Sequence, residues 1–222
     1  MQGRQKRTLM YHSIPTFKSI NDHYAVDINS FKDQINFLID KDISFSSSFE
    51  DNLQSVSLTF DDGYADNLYH AAPFLVSKKI PFTVFVVSAF VKNSEKGYLN
   101  PVELKHLASL PGVVIGAHGR THKPLASLHF DEARKELEMS KLEIEEIIGK
   151  EINCMSFPHG SYNEKIYQSA KDLQFFKIAT SEIRPRLRDQ TKMGRLPVFS
   201  YDCPSDIWNK VKGKWDLIGA LM

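Results

Sequence analysis

The chain is poor in the features that mark export, membrane insertion or nucleic-acid binding. Only two cysteines, Cys154 and Cys203, occur in 222 residues, and neither has metal-site or CxxC spacing, so no disulfide framework or zinc knuckle is encoded. They could form one disulfide or remain free thiols. Free thiols are expected, because a chain of this length buries enough surface to fold without staples. No run reaches the roughly 18 apolar residues of a membrane span. The start, Met1 to Thr8, is basic and polar and leads into Leu9-Met10-Tyr11 without the apolar core of about 7–15 residues that a secretion signal needs. The chain as given is therefore expected in the cytoplasm, or outside it if a leader has been trimmed. An excess of either charge is also missing. With 28 Lys+Arg against 27 Asp+Glu, the formal charge is +1, which removes the electrostatic case for nucleic acid or an anionic membrane surface. There is no internal repeat, low-complexity tract or long linker, and α/β barrels of about 200–250 residues form single units. One domain spanning residues 1–222 is expected.

What is present is alternation. Short β-branched, aromatic or apolar runs at residues 8–12, 56–60, 82–87, 113–117, 154–157, 175–180 and 195–199 predict strands. The segments between them have helical period, which argues for βα units around a parallel sheet or barrel. A helix capped by Ser30 would bury Phe31, Ile35, Leu38 and Ile39 and end near Lys41. Others are expected from Asp66 to Lys79, from Pro101, over residues 131–148 with Phe130 inward and Gly149 as C-cap, over 163–173, and from Ser205 to about Leu217. Trp208 and Trp215 would then share one packed face.

Four of the predicted strands end in unusual chemistry: Tyr11-His12, Asp61-Asp62-Gly63, His118-Gly119-Arg120-Thr121-His122, and Pro158-His159-Gly160-Ser161-Tyr162. In βα barrels the C-terminal ends of strands form the active face. Successive strand residues point to opposite faces, so Asp61 and Asp62 reach one site only if the strand has just ended and Gly63 lets the chain turn. His118 and His122 are spaced i, i+4, which in a helical turn puts both rings on one side. Two imidazoles and one carboxylate make a three-ligand set with open positions, typical of catalytic rather than structural zinc. His23, His70, His106 and His129 show no partner pattern and are expected at the surface.

Thr59-Phe60-Asp61-Asp62-Gly63, the His118-x3-His122 pair about 55 residues further on, and Phe157-Pro158-His159-Gly160-Ser161-Tyr162 resemble the first three motifs of the NodB-type polysaccharide deacetylases, carbohydrate esterase family 4. The resemblance spans about residues 8 to 200. It implies an α/β fold, a distorted (β/α)7 TIM-like barrel, and one divalent metal: zinc first, with cobalt, nickel or iron acceptable to the same ligands. By resemblance Asp61 is the general base, and Asp62, His118 and His122 are the metal ligands.

The pattern departs from that family in two places. The third motif commonly carries an arginine that steadies the catalytic aspartate, and Ser156-Phe157-Pro158 has none; Arg195 is a candidate replacement. Most members also take the catalytic acid from a histidine near the C-terminus, yet no histidine follows His159. His12, in Leu9-Met10-Tyr11-His12-Ser13-Ile14, resembles the Tyr-His motif of the poly-N-acetylglucosamine deacetylase branch, whose fold is circularly permuted. That likeness makes His12 the acid.

The activity implied is removal of N-acetyl groups from N-acetylhexosamine units of a bacterial surface polysaccharide or its precursor. Alternatives are a deacetylase of peptidoglycan or a small amide, and a non-catalytic sugar-binding relative. Tyr11, Tyr64, Pro158, His159, Tyr162 and Arg195 lie beside the proposed site and are expected to contact the sugar.

Overall fold

The computed structural model describes residues 7–18, 22–47, 55–183 and 191–215. Along these the order is β1 (Arg7–Tyr11), α1 (Ile28–Asp40), β2 (Ser44–Phe45), β3 (Ser55–Phe60), a π-helical turn (Asn67–Ala71), α2 (Ala72–Ser77), β4 (Phe82–Val86), α3 (Ser88–Lys92), α4 (Pro101–Leu107), β5 (Val113–Ala117), α5 (Phe130–Ile148), β6 (Cys154–Ser156), α6 (Glu164–Asp172), β7 (Lys177–Ala179), β8 (Lys192–Met193), β9 (Leu196–Pro197) and α7 (Pro204–Val211).

The strands lie side by side in the order β8-β7-β6-β5-β4-β3-β1-β9, with β2 added to β3. Every ladder is parallel. The two ends of this row belong to one short segment, since only Gly194 and Arg195 separate β8 from β9. The sheet therefore curls into the distorted (β/α)7 barrel expected from the sequence, with the connection between its edges made by chain rather than by a ladder.

Parallel strands covered on both faces read as buried throughout, as β1, β3 and β4 do. Their two faces differ in chemistry. Tyr11 stacks on Phe60 at 5.6 Å and meets Phe31 of α1 edge-on at 5.2 Å, and Phe60 meets Phe82 at 5.6 Å. This aromatic seam seals the sheet to its outer helices, and truncating one such ring typically costs about 3–5 kcal/mol. The opposite face turns into the curl. There Phe85, Cys154 and Ala179 pack together, and Gly116 makes room, because a Cβ on it would come within 2.6 Å of Phe85 and 2.7 Å of Cys154.

All seven expected strands are present, several of them shorter, while the two-residue β2 and β8 were not expected. The helices needed more correction. α1 starts at Ile28 because Asp27, not Ser30, caps it, accepting from the backbone N–H groups of Asn29 and Ser30; Ile39 and Phe130 are 36% and 43% exposed rather than core. The helix expected over 66–79 opens into a π turn, in which the Ala72 N–H bonds the Asn67 carbonyl. Pro73 lies one residue on and cannot donate; its ring crowds the carbonyl four residues back, and a wider turn accommodates that. α7 stops at Val211, ahead of Gly213 in the left-handed region at φ 82, so Trp215 lies beyond it, and residues 216 and 217 fall outside the described residues. Both cysteines are free. Among the described residues no helix is long and apolar enough to cross a membrane.

Candidate active site

The site begins where β3 ends. Asp61 still follows the strand, its N–H bonding the Tyr11 carbonyl at 3.0 Å, so it points into the curl as Thr59 does. Asp62 and Gly63 then take left-handed conformations, φ 72 and 79. Only glycine fits the second, where a Cβ would meet Val86 at 2.9 Å. This double turn swings Asp62 toward β5. Adjacent carboxylates thus reach one site with different neighbours.

His118 leaves the end of β5, and its N–H bonds the Val86 carbonyl at 2.9 Å. The segment to His122 is a loop rather than the expected helical turn, with Gly119 at φ 69 and His122 at φ 61. A histidine in that region is uncommon and is held there by its surroundings. Glu136 of α5 supplies the hold, accepting from the N–H groups of Arg120 and Thr121 at 3.0 and 2.8 Å and from the Thr121 hydroxyl at 2.8 Å. Arg120 in turn donates to buried Glu143 at 3.1 Å.

The Nε2 atoms of His118 and His122 stand 3.3 and 3.1 Å from Asp62 Oδ1. That oxygen is buried and has no well-directed hydrogen bond. The three ligand atoms lie within 4.8 Å of one another. His118 Nδ1 faces the Ser156 carbonyl at 3.0 Å, which can only accept, so the ring proton sits on Nδ1 and Nε2 offers its lone pair. A lone pair and a carboxylate oxygen converging on one point fit a divalent cation between them, and zinc-type chemistry suits the donor set. Burial disfavours the charged form of Asp62, yet the neighbouring His118 and His122 hold its carboxyl well below the usual range.

Arg195, expected beside the sugar, is buried and is not among the residues lining the cleft. At 1% exposure, it donates from its two terminal nitrogens to the two carboxylate oxygens of Asp61, at 2.5 and 2.8 Å, and to the Ser156 hydroxyl at 2.6 Å. Its guanidinium carbon lies 5.4 Å from the Phe85 ring centre. Burial alone would raise the Asp61 carboxyl, but the Arg195 guanidinium beside it keeps it below its usual value. The clasp on Asp61 thus comes from the segment joining β8 to β9.

His12 lines the same cleft, its ring 4.5 Å from that of Tyr24 and tilted 42° to it. Its backbone is gripped from the π-helical turn. Asn67 donates to the His12 carbonyl at 2.8 Å, the Ser13 hydroxyl to Asp66 at 2.6 Å, and His70 Nδ1 lies 2.6 Å from the Ile14 carbonyl. His70, expected as a bystander, belongs to this clamp. Burial lowers the His12 pKa, with Asp61 and Asp62 opposing it.

The cleft measures about 630 Å³ and is lined by Met10, His12, Asp22, Tyr24, Tyr64 and His159 beside Asp61, Asp62, His118 and His122; small-molecule sites span about 300–1,000 Å³. Tyr64 and His159, expected beside the site, are in that lining. Tyr11 is not: it neighbours His12 in sequence, so strand alternation turns it to the helix side, fully buried with its hydroxyl on Gln34 at 3.0 Å. Pro158 is buried against Gly119. Tyr162 stacks on Phe157 at 4.6 Å and bonds Glu182, one layer behind the lining.

A curled parallel sheet with carboxylates and histidines gathered at the C-terminal ends of its strands has the layout of an enzyme of the βα-barrel class. The chain belongs to the polysaccharide deacetylase family, whose model matches residues 50–177. It is 27% identical over 192 residues to YxkH of Bacillus subtilis (strain 168), whose name places it provisionally among the polysaccharide deacetylases. That match covers 82% of this chain and 66% of YxkH, so the chain spans just under two thirds of that relative's length. Among solved structures, IcaB from Ammonifex degensii superposes with a TM-score of 0.83 at 22% identity, covering 95% of this chain and 98% of IcaB. The Streptococcus pyogenes deacetylase PplD, solved with acetate, gives 0.80 at 20% identity over 93% and 98%. At these identities both likenesses concern the fold.

Proposed function

We propose that the protein is a metal-dependent N-deacetylase acting on N-acetylhexosamine units of a bacterial surface polysaccharide or its precursor. One observation carries the reading: two adjacent aspartates have separate partners, Asp62 facing His118 and His122 while Asp61 is clasped by Arg195. A lone carboxylate pair at a turn would need no such division.

An acetamide resists water because its carbonyl carbon is a poor electrophile and its nitrogen a poor leaving group. A divalent cation held by Asp62, His118 and His122 would polarise the carbonyl and bring the pKa of bound water to about 7. Asp61 takes the proton of the attacking water. Arg195 occupies one direction on each of its oxygens and leaves other lone pairs open, and by keeping the carboxylate ionised ensures that it is ready to accept. His12, across the cleft, donates to the nitrogen as the C–N bond breaks, the role suited to an imidazole. Tyr64 and His159 orient the ring that carries the acetamide.

The test is acetate release from N-acetylglucosamine oligomers, with and without a chelator. Chelator-sensitive release is expected. Sugar binding without release would make the protein a binding relative and end the proposal.

A further inference from the structure

An aromatic row leaves the cleft and crosses the surface. His12 and Tyr24, both in the cleft lining, are 4.5 Å apart; Phe199 follows Tyr24 at 5.4 Å, and Tyr201 stacks on Phe199 at 5.3 Å with 11° between the rings. Tyr24 is 40% and Tyr201 64% exposed. Single exposed aromatics are ordinary, but a contiguous row starting beside a proposed catalytic acid is not.

The row is held rigidly. The two segments that carry it are joined by the Ser200 N–H on the His23 carbonyl at 2.7 Å. Beneath them Asp202 accepts from the Phe199 N–H at 2.7 Å and pairs with Lys210, which also donates to the Pro197 carbonyl at 2.8 Å. Gln34 donates to the Asp202 carbonyl at 2.7 Å. Lys210 is fully buried, and its ammonium lies 4.8 Å from the Phe199 ring centre. A buried ion pair in such a network gives little net stability and often serves to fix one geometry. Here that geometry is a displayed pair of rings.

We propose that Tyr24, Phe199 and Tyr201 form a sugar-binding track that continues the catalytic cleft, so that a glycan chain of several units lies along it with one unit at the aspartates. Pyranose rings present apolar C–H faces to aromatic faces and hydroxyls to tyrosine oxygens, and pre-ordered rings lower the cost of binding. Continuity with the cleft favours a glycan over a protein or lipid partner. The inference rests on the deacetylase reading for what the cleft holds, and on the track's own geometry for the rest.

The experiment compares wild type, Tyr201→Ala and Tyr201→Trp on N-acetylglucosamine oligomers of one, three and five units. It follows acetate release, and separately binding to each protein carrying Asp61→Asn. In wild type, affinity and kcat/KM are expected to rise with length. Tyr201→Ala should lose roughly three- to tenfold on the pentamer, the scale of one aromatic stack, chiefly through KM, and Tyr201→Trp should recover it. Length dependence unchanged by Tyr201→Ala overturns the track while leaving the deacetylase reading in place. Tyr201-dependent binding without acetate release keeps the track and sinks that reading. Failure of every oligomer to bind wild type overturns both, and a Tyr201-dependent dimer in light scattering reassigns the row to a second copy of this chain.

Discussion

Arg195 and Asp61, 134 residues apart in sequence, meet inside the barrel through two parallel hydrogen bonds of 2.5 and 2.8 Å. The fork of the guanidinium matches the carboxylate and leaves it one orientation. Lysine offers a point charge instead. Arg195→Lys is therefore expected to keep metal content and lower kcat on the order of 10²-fold, within the range of one acid–base group. Arg195→Ala leaves Asp61 buried and uncompensated and should cost about 3–5 kcal/mol. Metal analysis, acetate release and thermal melts separate the two effects; full activity in Arg195→Lys would show that orientation is set elsewhere.

The proposed base and a proposed metal ligand should fail differently. Asp61→Asn is expected to retain metal and lose roughly 10²–10⁴-fold in turnover, whereas His118→Ala should lose the metal itself. Elemental analysis beside initial rates decides, and an active Asp61→Asn protein removes the base assignment.

Asn67 donates to the His12 carbonyl from the π turn. Asn67→Ala should free the strand end that carries the acid, lowering kcat about 10-fold or more while metal content and KM stay near wild type. Loss of one buried hydrogen bond should also cost about 1–3 kcal/mol. A kcat equal to wild type would reduce the clamp to a structural feature.

Much of the fold was legible because parallel strands buried on both faces write themselves as apolar runs; β2 and β8, two residues each, carry no period to read. The His118-His122 spacing pointed to the right neighbours through the wrong geometry, since a loop pinned by Glu136 brings the rings together where a helical turn was expected. Glu136 carries no local signal that sets it apart from the other charges of α5. Arg195 could be named only as a candidate, because nothing local marks a side chain that folds back across a barrel. Tyr11 was misplaced by adjacency to His12, although the alternation that separates them was available in the sequence. The row from Tyr24 to Tyr201 joins segments at opposite ends of the chain, and only the fold connects them.

Acid should loosen the histidine loop through Glu143. This side chain accepts from Ser88 at 2.6 Å and Arg120 at 3.1 Å and faces Lys92 at 3.4 Å. Burial raises its pKa, but these partners outweigh that and leave it below the ordinary 4.5. A folded value below the unfolded one contributes stability that is present above about 4.5 and lost as pH falls through the lower folded value. Melting temperatures measured from pH 7 to pH 3 should fall less steeply in Glu143→Gln than in wild type. Parallel curves would assign the acid sensitivity to other carboxylates.

The joining segment that carries Arg195 also sets an order of completion. Read in the direction of synthesis, His12, both aspartates and both ligand histidines emerge long before residue 195. A chain halted or clipped ahead of that point would carry the proposed metal ligands and proposed base, with Asp61 lacking its Arg195 clasp. On the proposed reading, the orientation of the base therefore depends on the last connection of the barrel to be made.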